Sequence, residues 1–371
     1  MSVQILVGDV RETLRDIATD SVHCVITSPP YWGLRDYGVS GQLGLEPTPQ
    51  AHVAAMVDVF REVRRVLRPD GVCWVNYGDS YATAVNGRSA ADTKAAGTDD
   101  RTFRDKPFST VAGGLKPKDL CMVPSRFAIG MQDDGWWLRS MLPWIKRNGM
   151  PESVADRPAT ATEYIFLFSK SERYWYDAAA VRKQAAPSSV ARWSQDIDSQ
   201  TGSTRANGGR KTNGNMKAVG GPKADKQRGH GRRHQGFNER WDAMERDEQI
   251  AAGRNFRNTD LFFESLAEPH GLITDNDGNP LALDVPTQPF RDAHFATFPP
   301  ALIEPLVKAG CSIGGTVLDP FGGAGTTGVV ADRLGRNAIL CELNQEYAEI
   351  ARRRIEGDSG MFAAVEVSTS A

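Results

Sequence analysis

The sequence predicts an α/β fold: a mostly parallel, twisted sheet with helices on both faces. Three observations carry that prediction. Short β-branched and apolar runs alternate with segments of helical period over residues 3–79, and again after residue 300. Several of those runs end on an acid, at Asp9, Asp79, Asp319 and Glu342. Between the two alternating regions, residues 181–258 hold almost no Ile, Leu or Val and cannot build a core of their own.

Taken in order, "VQILVGD" (3–9) is a strand and "VRETLRDIA" (10–18) a short helix. "VHCVIT", 22–27, is a buried strand. Over 52–67, Val53, Met56, Val57, Phe60, Val63, Val66 and Leu67 recur at helical spacing, and Arg68-Pro69-Asp70-Gly71 stops that helix. "VCWVNYGD" (72–79) is the next strand. Residues 82–118, rich in Ala, Gly, Asp and Lys, read as a mobile loop insertion. A helix follows at 124–133. "WWLRSMLPWIK", "EYIFLFSK" and "RYWYD" read as strands on a far, partly antiparallel side of the sheet. The parallel pattern returns with a helix at 300–309, the strand "TVLDPF", a glycine loop, a helix at 326–334, the strand "NAILCEL" and a helix at 345–355.

The 371 residues allow one large domain with an appendage, and 40% hydrophobic with 24% charged content is ordinary for a globular protein. The start, "MSVQILVGDV", has no basic n-region of a signal peptide, and no run approaches the roughly 18 apolar residues of a membrane span. These features predict a cytoplasmic protein away from the membrane. The five cysteines are scattered without zinc or redox spacing, which predicts buried thiols and no metal site. Net charge is −2, yet residues 181–233 carry 12 Lys and Arg against three Asp and Glu, a local +9. Such a segment points to an anionic partner.

Two motifs carry chemistry. The first is "TSPPYW", at the end of the 22–27 strand. Pro29 and Pro30 fix their own φ angles and remove two backbone donors, so the strand must stop there. Tyr31 and Trp32 follow at a strand end, the place where open α/β sheets bind ligands. The second is "TVLDPFGGAGTTGVVADRLGRNAILCEL": a strand, a glycine-rich turn, a helix, a strand and an acid. Its glycines let the backbone approach a ligand, and Glu342 lies where a carboxylate accepts both hydroxyls of a ribose. No Gly-Lys-Ser/Thr follows the loop, so it is not a phosphate-binding P-loop. Asp319 at the strand end repels phosphate but pairs with an ammonium. An adenosine bearing an amino-acid tail fits that combination, which points to S-adenosylmethionine.

Together the motifs resemble the amino-group DNA methyltransferases. "TSPPYW" is similar to their catalytic motif, (Asp/Asn/Ser)-Pro-Pro-(Tyr/Phe/Trp), and "DPFGGAGTT" to their Phe-x-Gly-x-Gly cofactor motif. The catalytic motif comes first, the permuted order of the β group. "ILVGDV", "HFATFPPALI" and "WIKRNGMPESVADRPATATEYIFLFSKSERYWYD" resemble further family segments. The resemblance implies a Rossmann-like methyltransferase fold. It implies 1–180 as the catalytic half, 181–258 as an irregular target-recognition insertion, 259–358 as the cofactor-binding half and 359–371 as a tail.

The resemblance also assigns residues. Ser28, Pro29, Pro30 and Tyr31 form the catalytic corner; the Ser28 hydroxyl and Pro29 carbonyl accept from the target amine, and Tyr31 stacks on a flipped base. Lys146 and Asn148 wall the base pocket, and Trp32 either walls it too or only packs. Asp9, Asp319, Phe321, Gly323, Gly325, Thr326 and Glu342 hold S-adenosylmethionine. Asp79 either shapes the pocket or caps a helix, and His294 packs rather than reacts. Serine at the first motif position favours the N4 amine of cytosine over N6 of adenine. The partner implied is double-stranded DNA, with room for a homodimer and for a cognate restriction endonuclease. A non-catalytic DNA-binding relic, or the same chemistry on RNA or a protein glutamine, are the competing readings.

Overall fold

The computed structural model describes residues 1–83, 108–146, 156–157, 160, 162–181, 283–286, 298–359 and 364–369. The strands are β1 (Ser2–Val7), β2 (Val22–Thr27), β3 (Leu67–Tyr77), β4 (Trp137–Ile145), β5 (Thr162–Ser169), β6 (Leu283–Asp284), β7 (Thr316–Asp319), β8 (Asn337–Glu342) and β9 (Ala364–Thr369). The α-helices are α1 (Val10–Thr13), α2 (Pro49–Val66), α3 (Val123–Asp133), α4 (Pro300–Gly310), α5 (Thr326–Arg333) and α6 (Gln345–Ser359). Among the described residues the strands form one sheet in the order β6-β4-β5-β3-β2-β7-β8-β1-β9. Pairing is parallel from β3 through β9, while β5 runs antiparallel to both β3 and β4. The mostly parallel sheet with a partly antiparallel far side is therefore as the sequence predicts.

Strand alternation divides the core into two layers. Ile5, Cys24, Ile26, Val72 and Trp74 face α4, α5 and α6. Leu6, Val25, Cys73, Val75 and Tyr77 face α2 and α3. Because the central strands are covered on both sides, they read as continuous apolar runs. Helix α2 starts three residues before its apolar stripe: Thr48 caps it by accepting from the Ala51 amide, and Pro49 takes the first position. All five cysteines are buried free thiols. Among the described residues no helix is long and apolar enough to cross a membrane.

Three expectations change. α2 ends at Val66, before Arg68-Pro69-Asp70-Gly71, which lie inside β3, already begun at Leu67. Val22 pairs with Leu67 and Cys24 with Val72, so those four residues form an irregularity within one strand. "RYWYD" is not a strand. Its Trp175 amide donates to the Asp70 carbonyl and its Asp177 amide to the Ala309 carbonyl, while Tyr174 and Tyr176 pack on the core, so its aromatic alternation reflects surface packing. The expected tail, 359–371, carries β9, which adds to β1 in parallel, Ser2 opposite Ala364 through Val7 opposite Thr369. The central parts of 82–118, and 182–258 entire, lie outside the described residues.

Strand order locates the site. From β2 the chain crosses through α2 to β3; from β7 it crosses through α5 to β8, on the opposite side. The neighbours β2 and β7 therefore mark a topological switch point, and the crevice beyond their C-terminal ends is where such sheets bind ligands.

Candidate active site

A cavity of about 420 Å³ opens at that crevice. One lip is the Ser28–Tyr31 corner after β2. The other is the glycine loop after β7, with Asp9 after β1 and Glu342 at the end of β8. The two motifs, far apart in sequence, thus share one cavity of the size that small ligands occupy.

On the glycine lip, Asp319 is 1% exposed. The Thr27 hydroxyl donates to its Oδ1 at 2.6 Å, the Thr327 hydroxyl to its Oδ2 at 2.6 Å, and the Phe321 amide to Oδ1 at 3.1 Å. Burial pushes its carboxyl up to about 6, against these three bonds that lower it. The expected ammonium partner is thus already engaged: Asp319 ties β2, the loop and α5 together. Glu342 accepts from the Gly323 amide at 2.7 Å and the Asn344 amide at 2.9 Å, and burial raises its carboxyl too. Gly325 caps α5 at φ +76°, and a Cβ there would lie 2.8 Å from that of Ala351, so only glycine lets α6 pack so closely. The buried Thr326 hydroxyl accepts from Arg354 at 2.8 Å, and Phe321 lines the cavity. Asp9 caps α1 through the Arg11 amide and pairs with the Arg11 guanidinium, which holds its carboxyl below the usual range.

On the corner lip, Ser28, Pro29, Pro30, Tyr31 and Lys146 all line the cavity. The Tyr31 ring stacks on Tyr77, centroids 5.5 Å apart and planes 16° apart. Its hydroxyl donates to Glu163 Oε2 at 2.9 Å and receives the Asn76 amide at 3.0 Å. Asn76 Nδ2 also donates to Glu163 Oε2 at 2.9 Å, and the Lys146 ammonium pairs with Glu163 Oε1. Asn76 Oδ1 is buried and has no hydrogen-bond partner. Burial first, then the Glu163 charge, holds the Tyr31 phenol well above its usual range.

Trp32 takes the packing alternative. It is 1% exposed, does not line the cavity, and donates to the Glu46 carbonyl at 2.7 Å within the α2 core layer. Adjacent residues at a strand end point to opposite sides, so Tyr31 faces the cavity and Trp32 the core. Asp79 is a cap: its Oδ1 accepts from the Ser80 and Val123 amides, the latter opening α3. Asn148 and His294 lie outside the described residues. Sequence reasoning missed Asn76, Tyr37, Gln42 and Tyr347 as cavity residues, and named Glu163 only within a family-like stretch.

The model of the N6/N4 DNA methylase family matches residues 22–353. The type II methyltransferase M.SmaI of Serratia marcescens is 36% identical over 354 residues, spanning 95% of this chain and 91% of that protein. M.Cfr9I of Citrobacter freundii is 36% identical over 351 residues, spanning 95% and 87%. In fold, the chain is similar to the PvuII DNA methyltransferase (cytosine-N4-specific), with a TM-score of 0.53 and 19% identity over 95% of this chain and 86% of that one. It is also similar to TTHA0409 of Thermus thermophilus, classed as a DNA modification methylase and solved with S-adenosyl-L-methionine. There the TM-score is 0.51 and identity 23% over 99% of both chains. Matched over most of its length to the family, and nearly end to end to its type II relatives, this chain belongs to the N6/N4 DNA methylases.

Proposed function

We propose that this protein transfers a methyl group from S-adenosylmethionine to the N4 amine of cytosine in a specific duplex DNA sequence, after flipping the base into the cavity. The observation that carries the reading is the Ser28-Pro29 corner facing the glycine loop across one cavity at the β2–β7 switch point.

The residues present fit the cofactor. The glycine lip offers carboxylates rather than cations, which suits a nucleoside and not a phosphate. Each Glu342 oxygen accepts one backbone amide and retains a lone pair for a ribose hydroxyl. The resemblance gives Asp9 the adenine contact, and Phe321, Gly323 and Thr326 line the cavity beside it, while Gly325 lies outside that lining and lets α6 pack on α5. When bound, S-adenosylmethionine supplies a methyl group on a sulfonium, reactive toward nucleophiles.

The chain's own part is to make a poor nucleophile react. An exocyclic amine shares its lone pair with the ring and must become tetrahedral to use it. Acceptors aimed at its N–H bonds favour that geometry. Ser28 Oγ and the Pro29 carbonyl supply them on a corner stiffened by Pro30, so little reorganisation is needed. Tyr31, backed by Tyr77, offers a flat face for the base. Serine at the first motif position supports cytosine.

The basic 181–258 insertion is proposed to hold the DNA backbone. Deleting 200–233 should weaken DNA binding and make its salt dependence shallower while sparing cofactor affinity. The type II designation of the relatives supports a cytoplasmic restriction–modification setting with a cognate endonuclease.

The test is transfer of tritiated methyl groups to duplex DNA, RNA and protein, then digestion of labelled DNA to nucleosides for mass spectrometry. N4-methylcytosine is expected. N6-methyladenine alone would overturn the cytosine assignment, and label confined to RNA or protein would overturn DNA as substrate.

A further inference from the structure

Methyl transfer leaves the amine nitrogen with a proton to lose, and the corner lip holds a half-buried carboxylate, that of Glu163, connected to it. The contacts run in one direction. Ser28 Oγ donates to the Tyr31 hydroxyl at 3.4 Å, and that hydroxyl donates to Glu163 Oε2 at 2.9 Å. The first contact is at the outer limit of a hydrogen bond, and such contacts tighten in a reacting complex. Asn76 Nδ2 lies 3.4, 3.0 and 2.9 Å from the three oxygens, so its two N–H bonds gather them. Lys146 occupies the other Glu163 oxygen, leaving Oε2 for the tyrosine. The backbone is cleared for the arrangement: a Cβ on Gly78 would lie 2.5 Å from the Tyr31 ring and 3.0 Å from Glu163 Oε1. The motif that the corner resembles admits Phe and Trp in place of Tyr, so stacking alone explains the ring but not its hydroxyl.

We propose that Glu163 is the final acceptor of the proton released by the target amine, reached through the hydroxyls of Ser28 and Tyr31. The inference rests on the amino-methyltransfer reading above. Once the nitrogen lone pair has bonded to the methyl group, the nitrogen is positive. One N–H bond then breaks and its electron pair returns to nitrogen. The proton passes to Ser28 Oγ as the serine proton passes to the Tyr31 oxygen and the tyrosine proton to Glu163 Oε2. Both hydroxyls are restored, and Glu163 ends as a neutral acid that returns its proton to water after product release. Among the described residues, the charged group facing Glu163 is Lys146, just after β4, and the titratable one is Tyr31; β3 contributes Asn76, and the Gly78 backbone follows it. Glu163 acts through Tyr31 and is therefore a positioning residue and proton acceptor rather than a group touching substrate.

The test compares Tyr31→Phe, Glu163→Gln and Glu163→Asp with the wild type. Single-turnover methylation of duplex DNA is followed from about pH 5 to 9, and cofactor affinity is measured by calorimetry. Tyr31→Phe and Glu163→Gln should each slow transfer by about 10²-fold or more. Each should flatten the acid limb of the pH–rate profile and leave cofactor affinity unchanged. Glu163→Asp should recover part of the rate and the acid limb. If Glu163→Gln fails to fold, Tyr31→Phe decides, since phenylalanine keeps the stack on Tyr77. A Tyr31→Phe protein with the wild-type rate and acid limb would overturn the relay while leaving amino methyltransfer intact. A wild-type protein that methylates no DNA would overturn the reading and the relay together.

Discussion

On the glycine lip, the contacts that shape the site join residues close in sequence. Phe321 reaches Asp319 two positions away, Thr327 reaches it over eight, and Gly323 reaches Glu342 over 19, with Thr27 joining from β2. On the corner lip the contacts are distant. Ser28 meets Asn76 over 48 positions, Asn76 meets Glu163 over 87, and Tyr31 meets Glu163 over 132. The first lip is set mainly by a βαβ turn and its backbone amides, with Thr27 of β2 and Asp9 after β1 added from the neighbouring strands. The second exists only when β2, β3 and β5 are in register, with Asn76 opposite Ile165 and Tyr77 opposite Tyr164. On the proposed function, binding falls mainly to the more local lip and chemistry to the lip built from distant strands.

The largest test of that division is Ser28→Ala. Removing one acceptor from a preorganised site should slow methyl transfer by about 10²–10³-fold, by analogy with loss of one oxyanion-hole donor. Cofactor affinity, which belongs to the other lip, should not change. Rapid-quench turnover and calorimetry on the same preparation measure both. A parallel fall in affinity would show that the lips are not separable.

The same division explains what was legible in the sequence. The glycine loop and Glu342 lie within one βαβ unit, so spacing alone places them. The Ser-Pro-Pro-Tyr corner shows as an abrupt stop after an apolar strand. Asn76 and Glu163 look like ordinary strand residues, because their partners come from other strands and no spacing rule connects them. Their only signal is polarity at the margin of apolar runs: Asn76 is 6% exposed, deep inside "VCWVNYGD", where a polar side chain needs a reason. Trp32 stayed open between wall and packing because composition says that an aromatic is near the corner but not which way it points. β9 escaped because "AVEVST" is short, holds two valines and gains its apolar partner only from β1.

A smaller effect is expected from Glu342→Ala. The substitution removes the carboxylate proposed for the ribose, and a hydrogen bond to a charged group is worth roughly 1.5–3 kcal/mol. S-adenosylmethionine affinity should fall about ten- to a hundredfold, with turnover at saturating cofactor close to wild type. This is the mirror of Ser28→Ala. Unchanged affinity in a folded Glu342→Ala protein would remove this acid from the cofactor's site.

The smallest effect, and the sharpest test of the glycine lip, concerns Asp319. Its carboxyl stands at about 6 when folded, raised by burial, against about 4 in an unfolded chain. A raised carboxyl means that the folded state binds the proton more tightly. Its contribution to stability is therefore fully present below about pH 4, is lost as pH rises through about 6, and stays absent at neutral pH; the whole span is at most about 3 kcal/mol. Asp319→Asn removes the buried charge and keeps the shape. The asparagine oxygen can serve the Phe321 amide and the Thr27 hydroxyl, and its NH₂ can donate to a Thr327 hydroxyl turned to accept. At pH 7 the variant should melt at or a few degrees above the wild type, and that advantage should vanish near pH 4. Scanning calorimetry at the two pH values gives the answer. A variant that melts well below the wild type at pH 7 would show that the charged form is needed to hold Thr27 and Thr327, against the burial argument. Cofactor affinity should move less than in Glu342→Ala, because Asp319 spends its oxygens on the protein; an equal loss would return Asp319 to the role of direct ligand for the ammonium.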